Sequence, residues 1–134
     1  MASLDTLFEA ARAIQAKAYA PYSRFKVGAA IATPDGRVFT GCNVENAAYP
    51  VGSCAEAGAI SAMIAAGENR ITEIVVMGEG EPLVTPCGGC RQRIREFAAP
   101  DTPIHIAGPE GIRKRFTLDE LLPFSFGPDN LKDR

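Results

Sequence analysis

The sequence predicts a layered α/β domain with helices on both faces of a sheet. Three observations carry this reading. Helical and strand patterns alternate through the middle of the chain. The N-terminal segment has a single apolar stripe at helical spacing. The run Ile74–Met77 is continuously apolar, as a strand covered on both faces must be. The length of 134 residues fits one domain spanning 1–134.

Each element has a local reason. Leu4, Leu7, Phe8, Ala11, Ile14 and Ala18 recur at i, i+3, i+4 and i+7, so an amphipathic helix is expected, capped by Ser3 and ended by Pro21. Residues 26–33 alternate loosely and meet the turn signal Pro34-Asp35-Gly36. Residues 37–44 then form a second strand, and the two make a hairpin. Residues 43–52 are small and polar and read mostly as loop. Residues 53–66 are apolar on nearly every face and stop at Gly67, which predicts a buried helix. A strand is expected over 71–77, a loop over 78–86, and a helix from Cys87 to about Phe97, opened by Pro86. A short strand over 104–107 and the turn Gly108-Pro109-Glu110-Gly111 lead to a charged edge strand at 113–117. Thr117 with Glu120 has the spacing of a capping box before a last helix at 118–122.

Composition narrows the function. With 46% hydrophobic and 22% charged residues, the chain can build a core without disulfide staples. Fourteen basic and sixteen acidic side chains give a formal charge of −2, which argues against a surface made to neutralise phosphates. No run approaches the length of a membrane span, and residues 1–20 lack the layout of a signal peptide. A cytoplasmic protein is expected, in which the four cysteines are thiols or metal ligands. The single histidine excludes any site needing two imidazoles, so a bound transition metal would have to be held mostly by sulfur.

Three cysteines stand where metal chemistry would place them. Cys87 and Cys90 flank two glycines, a spacing that lets the backbone turn two sulfurs toward one ion. Cys54 follows Ser53 at the start of the buried helix. Both places are expected helix N-termini, where free N–H groups favour a thiolate. Three thiolates with a fourth position left to water is the layout of a catalytic zinc site. A redox Cys-x-x-Cys pair is the other reading. Cys42 could complete a structural site with four thiolates, but it lies in an expected strand and reads as a small buried thiol. His105, between two isoleucines, reads as a satisfied sheet histidine. Glu56 could shuttle protons beside a metal. Ser53-x-x-Glu56 also fits a capping box, and the local sequence alone slightly favours the cap.

The motifs as a set carry a resemblance. Cys54-Ala55-Glu56 followed by Pro86-Cys87-Gly88-Gly89-Cys90-Arg91-Gln92 resembles the signature of zinc-dependent nucleoside deaminases. Residues 22–30 and 41–49, with Leu121-Leu122-Pro123-Phe124-Ser125-Phe126, are similar to the small homotetrameric cytidine deaminases with three cysteine ligands. The resemblance implies a three-layer α/β/α sandwich with a mixed sheet of about five strands. It implies zinc held by Cys54, Cys87 and Cys90, with Glu56 moving protons while a water-derived nucleophile attacks C4 of cytosine. The implied reaction takes cytidine and deoxycytidine to uridine and deoxyuridine with release of ammonia, a step of pyrimidine salvage. Asn43 and Glu45 match the pair that binds the ribose hydroxyl. Val44 and Ala55 match pocket-lining positions, and Phe25 and Phe126 match aromatics that pack on the nucleoside. In the family Phe126 and Tyr49 come from neighbouring subunits, so the resemblance implies a homotetramer with shared pockets.

One position departs from the family. Many three-cysteine relatives carry an arginine after Cys-Ala-Glu, where this chain has Ala57. Three thiolates and one zinc sum to −1, and the arginine is thought to temper that charge. N–H groups of the two helix ends, with or without Arg91, are expected to substitute. Competing readings are a deaminase of another cytosine compound such as blasticidin S, a nucleic-acid-editing deaminase, and a non-catalytic zinc-stabilised binding module. The run Asn43-Val44-Glu45 favours a nucleoside over the first. The acidic balance disfavours the second, and Arg91, Arg93 and Arg95 read as a solvated or acid-paired helix face.

Overall fold

A computed structural model describes residues 2–131. The elements run α1 (Leu4–Gln15), β1 (Gly28–Ala32), β2 (Val38–Cys42), a 3₁₀ turn (Tyr49–Val51), α2 (Ala55–Ala65), β3 (Glu73–Met77), α3 (Gly88–Arg95), β4 (Pro103–Gly108), β5 (Gly111–Thr117) and α4 (Leu118–Leu121), followed by a 3₁₀ turn at Pro128–Asn130. The five strands form one sheet in the order β2-β1-β3-β4-β5. Only β3 and β4 run parallel; the other neighbours are antiparallel, so the sheet is mixed.

Strand alternation sorts the core into two layers. Ala29, Ile31, Ile74, Val76, Ile104 and Ile106 face α2 and α3, and pack with Ala55, Ala59, Met63 and Ile94. Ala30, Ala32, Val75, Met77 and Ala107 face the other way, onto Leu7 and Ala11 of α1. This is the period-two rule applied to strands buried on both sides. The expected helix-sheet-helix sandwich is the architecture found. Among the described residues, no helix is long and apolar enough to cross a membrane.

The hairpin forms as expected, with Ala30 opposite Thr40. Ser3 caps α1 through the Thr6 N–H at 3.1 Å. Thr117 and Glu120 form the expected capping box. His105 is a satisfied sheet histidine, with Nε2 2.6 Å from Glu73 Oε2.

Four expectations need correction. The first helix ends at Gln15 rather than near Pro21, because the sheet side claims the chain: Tyr19 N–H donates to Asn43 O at 3.0 Å and Tyr19 O accepts from Glu45 N–H at 2.8 Å. The hairpin strands and the strand expected at 71–77 are shorter at their ends; Lys26 and Val27 give their N–H groups to Glu79 and Asn43 side chains instead of to a ladder. α2 is buried on one side only, and its outer side, including Ile64, is exposed. Cys42 is half-buried, not sealed in the core.

Gly41 sets how close α2 comes to the sheet. A Cβ there would lie 2.3 Å from Ala55 O and 2.4 Å from Ala59 N. Only glycine permits this approach, and it fixes the N-terminal end of α2 over the hairpin.

Candidate active site

The site lies where the N-terminal ends of α2 and α3 meet. Cys54 is the N-cap of α2 and Cys87 the N-cap of α3, while Cys90 is in the first turn of α3. Their sulfurs all lie within 4.8 Å of one another, with Cys54 Sγ and Cys87 Sγ 3.8 Å apart. Cys42 is outside this cluster. All four cysteines are free thiols. The redox reading requires a Cys87–Cys90 pair acting by itself; a third sulfur in the same cluster fits a metal better.

The chemistry of the donor set tests that fit. Burial pushes the Cys90 thiol far up, and the negative charges of Glu56, Cys54 and Cys87 push it further. Burial also raises Cys54, partly offset by a hydrogen bond with Cys90. For Cys87 burial acts upward but is outweighed by the Cys90 backbone N–H and the neighbouring thiols, so its pKa is lowered. The expected helix-end effect is therefore seen at Cys87 and overridden at the other two. Burial holds two of the three thiols back from ionising unaided, and a cation among three sulfurs this close would let all of them ionise together. The residues fit a zinc ion.

Glu56 is 5% exposed in the first turn of α2. It is not the partner of a capping box. No side chain caps α2, and Ser53 N–H donates instead to Val44 O at 2.9 Å. Ser53 is held in a bridge to Val44 and Cys54 is the N-cap, which puts Glu56 at the second helical position rather than the third that a capping box needs. Burial pushes the Glu56 carboxyl above the ordinary carboxylate range, against hydrogen bonds from its own N–H and Cys90 and the positive charge of Arg93.

Two cavities meet at this point. An inner one of about 210 Å³ is lined by Val27, Asn43, Cys54, Ala55, Glu56, Val76, Val84, Thr85 and Cys87. An outer cleft of about 460 Å³ is lined by Tyr22, Ser23, Asn43, Val44, Glu45, Asn46, Tyr49, Gly52, Ser53 and Cys54. Asn43 and Cys54 belong to both. Residues 43–45 are held beside Cys54 because Val44 bridges to Tyr19 on one side and to Ser53 on the other.

Asn43 and Glu45 also tie down the facing segment. Asn43 Oδ1 accepts from Val27 N–H at 2.8 Å and its amide donates to Phe25 O at 2.8 Å. Glu45 Oε1 accepts from Tyr22 N–H at 2.9 Å and Ser23 N–H at 3.1 Å, and Oε2 accepts from the Ser23 hydroxyl. The Ser23 hydroxyl and the two N–H groups lower the Glu45 pKa. One amide N–H of Asn43 and lone pairs on both side chains remain for a ligand.

The structure thus brings together Cys54, Cys87, Glu56 and Ala55 at the inner cavity, with buried Cys90 completing the sulfur cluster. It places Asn43 between the cavities, and Val44, Glu45 and Tyr49 along the outer cleft. The rings of Phe25 and Phe126 line neither. Phe126 lies with Gln92, Glu96 and Leu131 at a separate surface hollow, half exposed. Val27, Val84 and Thr85 line the inner cavity without any local sequence signal.

The arginines of α3 differ from expectation. Arg91 does not reach sulfur. Its Nε donates to Pro86 O at 2.7 Å, Nη1 to Leu121 O at 2.7 Å and Nη2 to Thr85 Oγ1 at 2.9 Å. Arg93 is the arginine on sulfur, with Nη1 3.4 Å from Cys90 Sγ. Arg95 holds Ser125 Oγ at 2.9 Å and Asp129 at 3.5 Å. The expected solvated or acid-paired face thus holds for Arg93, which is exposed although one nitrogen meets sulfur, and for the Arg95–Asp129 pair, but not for Arg91. The spacing of Cys90 and Arg93, three residues apart on a helix, could have shown the contact.

A sulfur cluster between two helix ends, with a buried carboxyl beside it at the foot of a cleft, defines a metal-dependent hydrolase site. Residues 1–106 match the family model of the cytidine and deoxycytidylate deaminase zinc-binding region. A cytidine deaminase from Halalkalibacterium halodurans is 40% identical over 123 residues, covering 90% of this chain and 93% of that protein. One from Mycobacterium tuberculosis is 41% identical, covering 87% and 84%. The crystal structure of cytidine deaminase from Burkholderia pseudomallei superposes with a TM-score of 0.87 at 44% identity, covering 92% of this chain and 99% of that one. The chain belongs to the cytidine and deoxycytidylate deaminase zinc-binding family, and within it the sulfur cluster is of the three-cysteine kind.

Proposed function

We propose that this chain is a cytidine deaminase, hydrolysing cytidine and deoxycytidine to uridine and deoxyuridine with release of ammonia, as in pyrimidine salvage. The observation that carries the reading is the Glu56 carboxyl, buried beside the sulfurs of Cys54, Cys87 and Cys90 at the foot of the cleft. Cys54, Cys87 and Cys90 would hold zinc. When bound, zinc supplies Lewis-acid activation of water at neutral pH.

The remaining work falls to the chain's own residues. Glu56 accepts a proton from the attacking water and delivers one to ring N3 of cytosine. It then takes the proton of the new C4–OH group and passes it to the departing amine, so that C4=O forms, the C4–N bond breaks and ammonia leaves. Burial suits this role, because a raised pKa makes the carboxylate a stronger base toward the attacking water and brings its acid and base forms closer to neutral pH. Ala55 and Val27 offer apolar walls for the base. Asn43 and Glu45 hold the ribose hydroxyl with donor and acceptor together, and Val44 lines the sugar cleft. Residues 1–134 act as one catalytic domain in this reading, and the four free thiols favour the reducing cytoplasm.

The reading includes a homotetramer. Phe25, Tyr49 and Phe126 are exposed aromatics, and the outer side of α2 leaves Ile64 uncovered. Phe126 lies away from its own chain's cleft, so it packs on a nucleoside only in a neighbour's. A compact monomer with full activity in sedimentation would contradict this part.

Ultraviolet monitoring of cytidine and deoxycytidine with the zinc-loaded protein tests the reaction. Turnover of both nucleosides, stopped by a chelator and restored by zinc, is the expected result. Glu56→Gln should keep zinc and lose turnover by about 10²–10⁴-fold. Equal ammonia release by that variant would remove Glu56 from the mechanism.

A further inference from the structure

Arg93 makes a contact that the deamination chemistry leaves unused. Its guanidinium donates to Cys90 Sγ at 3.4 Å. Among the described residues no carboxylate forms an ion pair with it. The sulfur is its polar partner, although water is within reach.

Helix geometry produces this contact. Side chains on a helix lean toward its N-terminus, so a long residue at 93 covers positions 89 and 90. Gly89 leaves that path open: a Cβ there would lie 3.4 Å from Arg93 Nη1. Cys90 itself is fully buried, with its sulfur toward Cys54 and Cys87. The guanidinium therefore reaches the cluster from the solvent side of α3. No other arginine or lysine among the described residues donates to any of the three sulfurs; Arg91 is spent on Pro86, Thr85 and Leu121.

The charge arithmetic says what such a donor would do. Three thiolates and one divalent ion sum to −1 in a half-buried place. A net negative centre holds its metal less well in low dielectric, and its sulfurs push electron density onto the ion. A charge-assisted N–H···S bond offsets both. We propose that Arg93 is a positioning residue of the metal centre, binding the Cys90 thiolate from outside and supplying, among the described residues, the one side-chain cation that balances a three-sulfur zinc site. The proposal rests on Cys54, Cys87 and Cys90 being the zinc ligands.

The experiment starts from zinc-loaded wild-type, Arg93→Gln and Arg93→Lys proteins. One zinc per chain in the wild type tests the ligand assignment on its own. Transfer of zinc to a competing chelator then measures retention. Arg93→Gln should lower zinc affinity by about 10- to 100-fold. Arg93→Lys should recover part of the loss, because it restores the charge. In the cobalt-substituted proteins the sulfur-to-metal absorption should move to longer wavelength in Arg93→Gln, since the bond that steadied the sulfur lone pairs is gone. Matching thermal melts would show that the fold is kept. Equal zinc retention and an unshifted cobalt band in Arg93→Gln would overturn the proposal, as would Arg93→Lys losing zinc as readily as Arg93→Gln.

Discussion

Glu45 Oε1 accepts the backbone N–H of Tyr22 at 2.9 Å, across the mouth of the outer cleft. A side chain expected to hold the sugar thus also fixes the rim that the sugar must pass. The two jobs are compatible because a carboxylate offers about four acceptor positions. Removing it should hurt in two ways at once. Glu45→Ala should raise KM on the order of tenfold, losing one charged hydrogen bond to the ligand and the order of the rim together. Steady-state kinetics should show the KM effect exceeding the kcat effect. Unchanged KM would leave Glu45 as a loop tether only.

The same bond gives a pH dependence. The Ser23 hydroxyl, then the Ser23 and Tyr22 N–H groups, hold Glu45 below its ordinary value of 4.5. A carboxyl with a depressed folded-state pKa contributes its whole stabilisation above the unfolded value. That contribution is lost as pH falls through the lower folded value. The rim should therefore stay ordered down to about pH 4.5 and loosen below it. Amide exchange of Tyr22 and Ser23, compared with that of the sheet residues, reads this directly. Loosening on the alkaline side would contradict the sign.

Gly41 should tolerate no side chain. Gly41→Ala places a methyl 2.3 Å from Ala55 O, and the backbone of α2 must retreat. Overpacking of this kind costs about 1–3 kcal/mol. The displaced helix carries Cys54 and Glu56, so zinc content should fall along with the melting temperature. A variant with unchanged melting and full zinc would show that α2 can slide freely.

Arg91 should behave unlike Arg93. Its guanidinium joins the Thr85–Pro86 approach to Cys87 with Leu121 at the end of α4. Arg91→Ala should destabilise the fold by about 1.5–3 kcal/mol, the range for a hydrogen bond to a charged group. Denaturant titration measures this. The cobalt absorption of the folded protein should stay where it is, because no Arg91 atom touches sulfur; a shifted band would return Arg91 to the metal centre.

Losing the α4 cap should have a local and smaller effect. Thr117 Oγ1 accepts the Glu120 N–H at 3.3 Å, and Glu120 Oε1 accepts the Thr117 N–H at 2.8 Å. Thr117→Ala should cost about 1 kcal/mol and leave turnover by the folded enzyme intact. A loss of zinc in this variant would show that α4 supports the metal site more directly than the Arg91–Leu121 contact suggests.

By itself the chain determined the layers, because strand alternation and the apolar stripe of α1 are local patterns that packing only has to obey. It also determined the donor set. Cys54-Ala55-Glu56 and Cys87-Gly88-Gly89-Cys90 each place their groups at a helix start, whatever lies opposite. The tertiary structure decided what those groups meet. Glu56 could have been a cap residue on local grounds, and became a buried acid because the helix starts one residue later, at the Cys54 cap, with Ser53 held in a bridge to Val44. Tyr19 left a helical pattern because Asn43 and Glu45 offered its backbone partners from far along the chain. The arginines of α3 are near neighbours, with Arg91 the one considered for the sulfurs, yet they part to Leu121, to Cys90 and to Ser125, and it is Arg93 that meets sulfur. Short-range patterns set which face a side chain takes. Only the elements packed against that face decide whether it finds a carbonyl, a sulfur or water.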